Sequence, residues 1–190
     1  MLQIRIHGRG GQGVVTAAEI LSIAAFLQGK HAQAFPSFGS ERMGAPVVAF
    51  CRINDKTIRL REPVSQPDAV VVQDPTLLKQ IDVFGGLARD GFLLINSVKP
   101  IEQLGIQAVL HMLPAGHART VPATDLARKH VGRPLPNAAM LGALAGLTGW
   151  LEVDSVCNAI AQKFKGEIAQ KNQQAARAAF ELMSATGAVA

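Results

Sequence analysis

Six residues near the start of the chain, Gly8-Arg9-Gly10-Gly11-Gln12-Gly13, restrict the fold more than any other stretch, because four glycines in six positions suit no regular element. They interrupt the alternating run Leu2-Gln3-Ile4-Arg5-Ile6-His7, and residues 14–28 after them carry apolar side chains at helical spacing. The glycines therefore join a strand to a helix. Gly8, Gly10 and Gly13 have the spacing G-x-G-x-x-G, which permits a tight turn, a close backbone approach to phosphate and close packing of helix on strand. The unfilled N–H groups and positive dipole end of such a helix favour an anion. Packing alone would also account for the glycines.

A dinucleotide site of this type uses a carboxylate about 20 residues further on to hold the ribose hydroxyls. Residues 29–34 read Gly-Lys-His-Ala-Gln-Ala, and from there the first carboxylate is Glu41. That weakens a nicotinamide reading, although Lys30 and His31 would tolerate a phosphate. Residues 14–28 end at Gly29, a good helix stop, and Ala17, Ala18, Ala24 and Ala25 suit close packing on a sheet. They form the expected crossover helix of a βαβ unit, with residues 32–35 as a short second parallel strand.

Residues 47–53 read as a strong strand and residues 57–61 as another, and the turn chemistry of Asn54-Asp55-Lys56 predicts that the two pair as a hairpin. Arg59 and Arg61 would then share one face. Residues 68–74 and 92–96 are continuous apolar runs of the kind buried on both sides in a parallel sheet. Asp74-Pro75 opens a helix with Asp74 as its cap, or else places Asp74 at a ligand crevice beyond the strand end. Residues 108–112 and 119–121 are weaker strand candidates, and Thr124-Asp125 is expected to cap a short helix. Asn137 caps residues 138–147, where Gly142 and Gly146 make a small-residue face for a neighbouring helix or sheet. Residues 152–164 and 167–186 are amphipathic helices. The expected fold is α/β, doubly wound, with a mostly parallel sheet, a hairpin insertion and a helical C-terminal third. With 190 residues and no linker, one domain over 1–190 is expected.

Charge and chemistry narrow the function. Charged residues are only 17% of the chain, below the roughly 25–35% typical of a free-standing surface, so a flank buried against a partner is expected. The net charge of +5 is scattered and aromatics are 5% with no Tyr, which gives neither the basic stripe nor the stacking platform of a nucleic-acid binder. A small anionic ligand or an acidic partner uses that charge better. Residues 137–150 are apolar but shorter than the roughly 20 residues that span a bilayer. The N-terminus enters a strand without a secretory signal pattern, so a cytoplasmic location is expected.

Cys51 and Cys157 have no Cys or His at metal spacing, so any iron–sulfur cluster would belong to a partner. His7, His31, His111, His117 and His130 form no metal or acid–base motif, and no serine lies in a Gly-x-Ser-x-Gly turn. A chain with a phosphate-type loop and no nucleophile or general acid–base pair reads as a binding component, with the hard chemistry on cofactors held elsewhere. A free-standing NAD(P)-binding oxidoreductase and a nucleotide- or coenzyme A-binding regulator are the alternatives.

A second loop, Pro36-Ser37-Phe38-Gly39-Ser40-Glu41-Arg42-Met43-Gly44-Ala45-Pro46, follows the short strand. Taken with Gly-Arg-Gly-Gly-Gln-Gly, it resembles the gamma subunit, or gamma domain, of the 2-oxoacid:acceptor (ferredoxin) oxidoreductases, and the similarity runs on to Asn137 and Met140-Leu141-Gly142. The resemblance implies a complex that converts a 2-oxoacid and coenzyme A to acyl-CoA and carbon dioxide. Thiamine diphosphate would lie between alpha and beta subunits, and iron–sulfur clusters on beta or delta components would pass electrons to ferredoxin or another acceptor. The gamma component would help to enclose coenzyme A and close the active site. The residues carried over are Gly8, Arg9, Gly10, Gly11, Gln12 and Gly13, then Ser37, Phe38, Gly39, Glu41 and Arg42. Glu41-Arg42 would serve either as ligand contact or as an ion pair bracing the loop. Where many members have a second arginine and a glycine pair, this chain has Met43 and Ala45. That leaves the substrate class open among pyruvate, 2-oxoglutarate, branched-chain, aryl and phenylglyoxylate-type 2-oxoacids.

Overall fold

The computed structural model describes residues 1–37 and 43–187, so Phe38, Gly39, Glu41 and Arg42 lie outside the described residues. The alternating start of the chain forms strand β1 (Leu2–Arg9), and the glycine turn leads into helix α1 (Val14–Leu27). β2 (His31–Pro36) and β3 (Pro46–Asn54) follow, then β4 (Ala69–Val72), β5 (Phe92–Asn96) and β6 (Ala118–Val121). One six-stranded sheet results, in the order β2-β3-β1-β4-β5-β6. β1, β4, β5 and β6 are mutually parallel. β3 alone runs the other way, antiparallel to both β1 and β2.

The expected hairpin is therefore corrected in its parts. β3 pairs along one edge with β1, from Leu2↔Ile53 to Arg9↔Pro46, and along the other with β2, from His31↔Asn54 to Pro36↔Ala49. Both edges of β3 are filled, so residues 57–61 have nowhere to add a strand. They run as irregular chain with Arg59 and Arg61 exposed. β2 has the direction expected of a parallel crossover partner of β1, but β3 lies between the two.

The continuous apolar runs behave as foreseen: every residue of β4 is buried, as are Leu93, Leu94 and Ile95 of β5. Their side chains feed two cores. Ile4, Ile6 and Val71 point into the larger one, together with α1 and the helical C-terminal third. Val70, Val72, Leu93 and Ile95 point into a smaller one on the opposite face. The cover there is light: a 3-10 helix at Pro75–Lys79, another at Ile101–Leu104 and the single turn α2 (Gln107–Leu110). Residues 108–112, expected as a weak strand, fall in α2 and the turn after it, since a short apolar run suits a half-buried helical turn equally well. Likewise the helix opened by Asp74-Pro75 stops as a 3-10 helix of five residues.

Four further helices follow among the described residues, α3 (Ala123–Val131), α4 (Asn137–Thr148), α5 (Val153–Lys163) and α6 (Gly166–Gly187). Thr124-Asp125 does not cap α3. Pro122 holds the cap position, and the Thr124 N–H donates instead to the Asn96 side-chain oxygen at 3.1 Å. Asn137 is the first residue of α4 rather than its cap, and its Oδ1 accepts from the Ala138 N–H at 2.9 Å. Every residue of α4 from 137 to 145 is buried, the pattern of a helix enclosed on all sides. Gly142 explains how: a Cβ there would lie 1.9 Å from the Ala176 carbonyl oxygen, so α4 meets α6 backbone to backbone. Among the described residues no helix is long and apolar enough to cross a membrane.

Candidate functional site

The glycine turn forms because Gly11 (φ 93°) and Gly13 (φ 73°) adopt left-handed backbone that side chains oppose. Gly13 occupies the N-cap of α1, which has neither a side-chain cap nor an acidic residue in its first turn. The N–H groups of Val14, Val15 and Thr16, orphaned in any helix start, are left for a ligand or water.

The turn sits where the sheet order reverses. From β1 the chain passes through α1 to β2 on one side, and β4 later adds on the other. The crevice between the carboxyl ends of two such strands is where α/β sheets bind ligands. Here it is bridged by protein. Arg9 Nε donates to Asp74 Oδ2 at 3.1 Å, and Gln12 Nε2 donates to the same oxygen at 3.0 Å. The remaining guanidinium nitrogens of Arg9 donate to the Gly44 carbonyl (3.0 Å), Thr76 Oγ1 (2.6 Å) and Gln80 Oε1 (2.9 Å). Gln12 also closes its own loop by accepting from the Arg9 N–H at 2.8 Å. Arg9 and Gln12 are thus committed to bracing the turn, and what it offers an anion is backbone.

Asp74 combines its two expected roles. Its Oδ1 accepts from the Thr76 N–H at 3.0 Å as the cap of the 3-10 helix, while its Oδ2 ties that helix to the glycine turn. Burial pushes the Asp74 carboxyl up, but hydrogen bonds from Thr76 and Gln12 and the charge of Arg9 outweigh it and hold the group below its ordinary value.

The second motif reaches the first through its far end. Gly10 N–H donates to the Ala45 carbonyl at 2.9 Å and Gly44 N–H donates to the Gly10 carbonyl at 3.1 Å, zipping the two segments together. Met43 pairs with Gly10 as an isolated bridge, and a Cβ on Gly11 would lie 2.7 Å from its sulfur. Its side chain is 87% exposed. Met43, where the resemblance leads one to expect a second arginine, therefore lies over the glycine turn. Ser37, at the near end, is exposed, and its N–H donates to the Val48 carbonyl at 2.8 Å.

Two cavities open at the turn. One of about 310 Å³ is bounded by Arg9, Gly10, Val15 and Val47. The other, of about 440 Å³, runs from Gly11, Gly13 and Thr16 to Arg133, Asn137 and Lys171. A third, of about 680 Å³, lies beyond the ends of β4 and β5 beside Lys79, Lys99 and Arg128. Sequence reasoning placed the glycine turn but missed Thr76, Gln80, Arg133 and Lys171. No local pattern marks them, because the tertiary fold alone brings them to residues 8–13. Among the described residues no three His, Cys, Asp or Glu side chains gather as a metal site.

The model of the pyruvate ferredoxin/flavodoxin oxidoreductase family matches residues 3–182. The chain belongs to this family. The pyruvate synthase subunit PorC of Methanothermobacter marburgensis is 50% identical over 187 residues, covering 98% of this chain and 100% of the relative. The common gamma subunit of the pyruvate/ketoisovalerate oxidoreductases of Pyrococcus abyssi is 50% identical over 181 residues, 95% of this chain and 96% of that one. The crystal structure of the pyruvate oxidoreductase subunit PORC of Thermotoga maritima superposes with a TM-score of 0.79 at 39% identity, covering 95% of each chain. As a gamma-type member of the pyruvate ferredoxin/flavodoxin oxidoreductase family, the chain is a subunit of a 2-oxoacid oxidoreductase, not a free-standing nicotinamide enzyme.

Proposed function

We propose that this gamma subunit serves a complex that oxidatively decarboxylates pyruvate with coenzyme A, giving acetyl-CoA and carbon dioxide and passing two electrons to ferredoxin or a similar acceptor. Branched-chain 2-oxoacids are the second substrate class, in keeping with the name of the Pyrococcus relative. Thiamine diphosphate and the iron–sulfur clusters reside on alpha-, beta- and delta-type partners and supply the carbon–carbon cleavage and the electron path. The isolated chain is inactive, and the complex works in the cytoplasm.

The chain's own part is to bind coenzyme A and help close the active site. Gly11 and Gly13 let the phosphates approach the backbone, Gly8 packs beneath them against Val14 and Gln73, Gly10 is bonded to residues 44 and 45, and the first-turn N–H groups of α1 donate to the ligand. Arg9 and Gln12 keep the turn in shape through Asp74. Ser37, Phe38, Gly39, Glu41 and Arg42 are the further candidates for contact with coenzyme A. The observation that carries this reading is the uncapped first turn of α1 at Gly13, free of acidic residues and open to two cavities.

Thr16 lines both cavities and stands in that first turn. Thr16→Glu tests the reading, since a carboxylate there stabilises the helix end yet repels a phosphate. The expected result in the assembled complex is a KM for coenzyme A raised by about tenfold or more, with thermal stability retained. An unchanged KM in a complex shown to contain the variant would refute coenzyme A binding at the turn.

A further inference from the structure

The cavity of about 680 Å³ beyond the ends of β4 and β5 takes no part in the coenzyme A reading. One wall is the 3-10 helix at Pro75–Lys79 with Gln80, another is the start of α3, and residues 97–99, leaving β5, complete it. Its polar side chains are already engaged by the protein. Asn96 is buried; its Nδ2 donates to the Gln73 carbonyl at 2.8 Å and to Thr124 Oγ1 at 2.7 Å, and its Oδ1 accepts from the Thr124 N–H. Thr76 Oγ1 and Gln80 Oε1 both accept from Arg9, and Ser97 Oγ accepts from the Lys99 N–H at 3.0 Å. What remains free is apolar or cationic. Val98 is 72% exposed, and Pro75 and Leu104 are half-buried. Lys79 and Lys99 are exposed and form no ion pair among the described residues. Arg128 pairs with Asp125 at 3.3 Å, and Asp125 is the one carboxylate among the lining residues. An exposed pair of this kind is weak and exchanges readily.

A pocket built for a small polar ligand presents a few free, well-placed donors and acceptors. Here those oxygens are taken, and an apolar centre ringed by exposed charge has the anatomy of a protein contact. The chain is a subunit of a larger oxidoreductase, and a charged fraction of 17% is low for a surface that faces only water. We propose that this crevice receives an acidic segment of a partner subunit, with an apolar side chain seated on Val98 and Leu104 and flanking carboxylates paired with Lys79 and Lys99. Three cations against one carboxylate favour an acidic segment and repel a basic one. The occupant also bears on the 3-10 helix whose Thr76 holds Arg9, so docking and the shape of the glycine turn share one wall. This contact depends on the chain's being a subunit and not on where coenzyme A binds.

The test compares the accessibility of position 98 in the free chain and in the assembled complex. Cys51 and Cys157 are buried, so Val98→Cys supplies an exposed thiol at a site where the fold does not depend on the side chain. A maleimide is expected to label that thiol about tenfold more slowly, or slower still, in a complex shown by native mass to contain the variant. Equal labelling in the two states overturns the proposal. So does protection that appears only when coenzyme A or a 2-oxoacid is added, because a small ligand then fills the crevice. The charge assignment is read from Lys79→Glu/Lys99→Glu, which is expected to raise the dissociation constant for the remaining subunits by about tenfold or more, most strongly at low salt. Arg59→Glu/Arg61→Glu, on the exposed chain after β3, is the control and is expected to leave that constant unchanged. No effect of the lysine reversals, or an equal loss in the control, overturns the acidic partner.

Discussion

Replacing His7 by leucine should flatten the acid limb of the stability profile. His7 lies on β1, 3% exposed, with Val72 of β4 as its neighbour in register. Neither of its ring nitrogens has a hydrogen-bond partner. Burial lowers its pKa from 6.5 to about 4; the nearby Arg5 charge adds to the effect and Asp82 opposes it. The unfolded chain therefore takes up a proton that the native state refuses. Stability is full above about pH 6.5 and is lost as the pH falls toward 4, because the unfolded state binds more protons throughout that window. At about 1.4 kcal/mol per pH unit, the whole gap is worth about 3.4 kcal/mol, of which about 2 kcal/mol falls between pH 7 and 5. Urea unfolding of the purified chain and of His7→Leu at both pH values reads this directly. The wild type should lose about 2 kcal/mol more than the variant on going to pH 5. Equal losses would mean that the native imidazole takes up its proton as easily as the unfolded one, and the reasoning from burial would be wrong.

Other perturbations probe the brace and the packing. Asp74→Ala strands Arg9 and Gln12 and uncaps the 3-10 helix, and should cost about 2–4 kcal/mol by denaturant titration while raising KM for coenzyme A in the complex. Gly142→Ala drives a methyl into the Ala176 carbonyl, so α4 and α6 must part; a loss above about 3 kcal/mol, or failure to fold, is expected from thermal melts. Cys51 is fully buried and its thiol is pushed up to about 12, so at pH 8 a thiol reagent should label it only as fast as the chain opens. Rapid labelling of native Cys51 would contradict that burial.

How far the fold was legible depended on where its information lay. Residues 69–72 and 92–96 announced buried parallel strands because both faces of each are covered, and the glycine turn announced a strand–helix junction because its backbone needs positive φ. The direction of β3 was not legible, since a strand's side-chain pattern reads the same for either direction. Asn54-Asp55-Lys56 does turn the chain, with Asn54 Nδ2 donating to the Lys56 carbonyl at 3.0 Å, but Asp55 is held by Lys30 and the chain after it leaves the sheet. For the site, residues 8–13 were identified and Arg9 was expected to face a phosphate. Its engagement with Asp74, Thr76 and Gln80 depends on β4 lying beside β1, a pairing between residues more than sixty positions apart. Arg133 and Lys171 were out of reach for the same reason.

The reversed β3 has a consequence for how such a subunit changes its chemistry. Because Arg9 stands opposite Pro46, the connection entering β3 emerges at the same rim as the turn leaving β1. The strands on either side of that connection are locked in register from Pro36↔Ala49 onward. A change of side chain at Met43 thus alters what stands against Gly10 and Gly11 while the pairing of β2 with β3 keeps its register. The rim of the glycine turn is therefore open to change at Met43, whose side chain is exposed, without disturbance of the core.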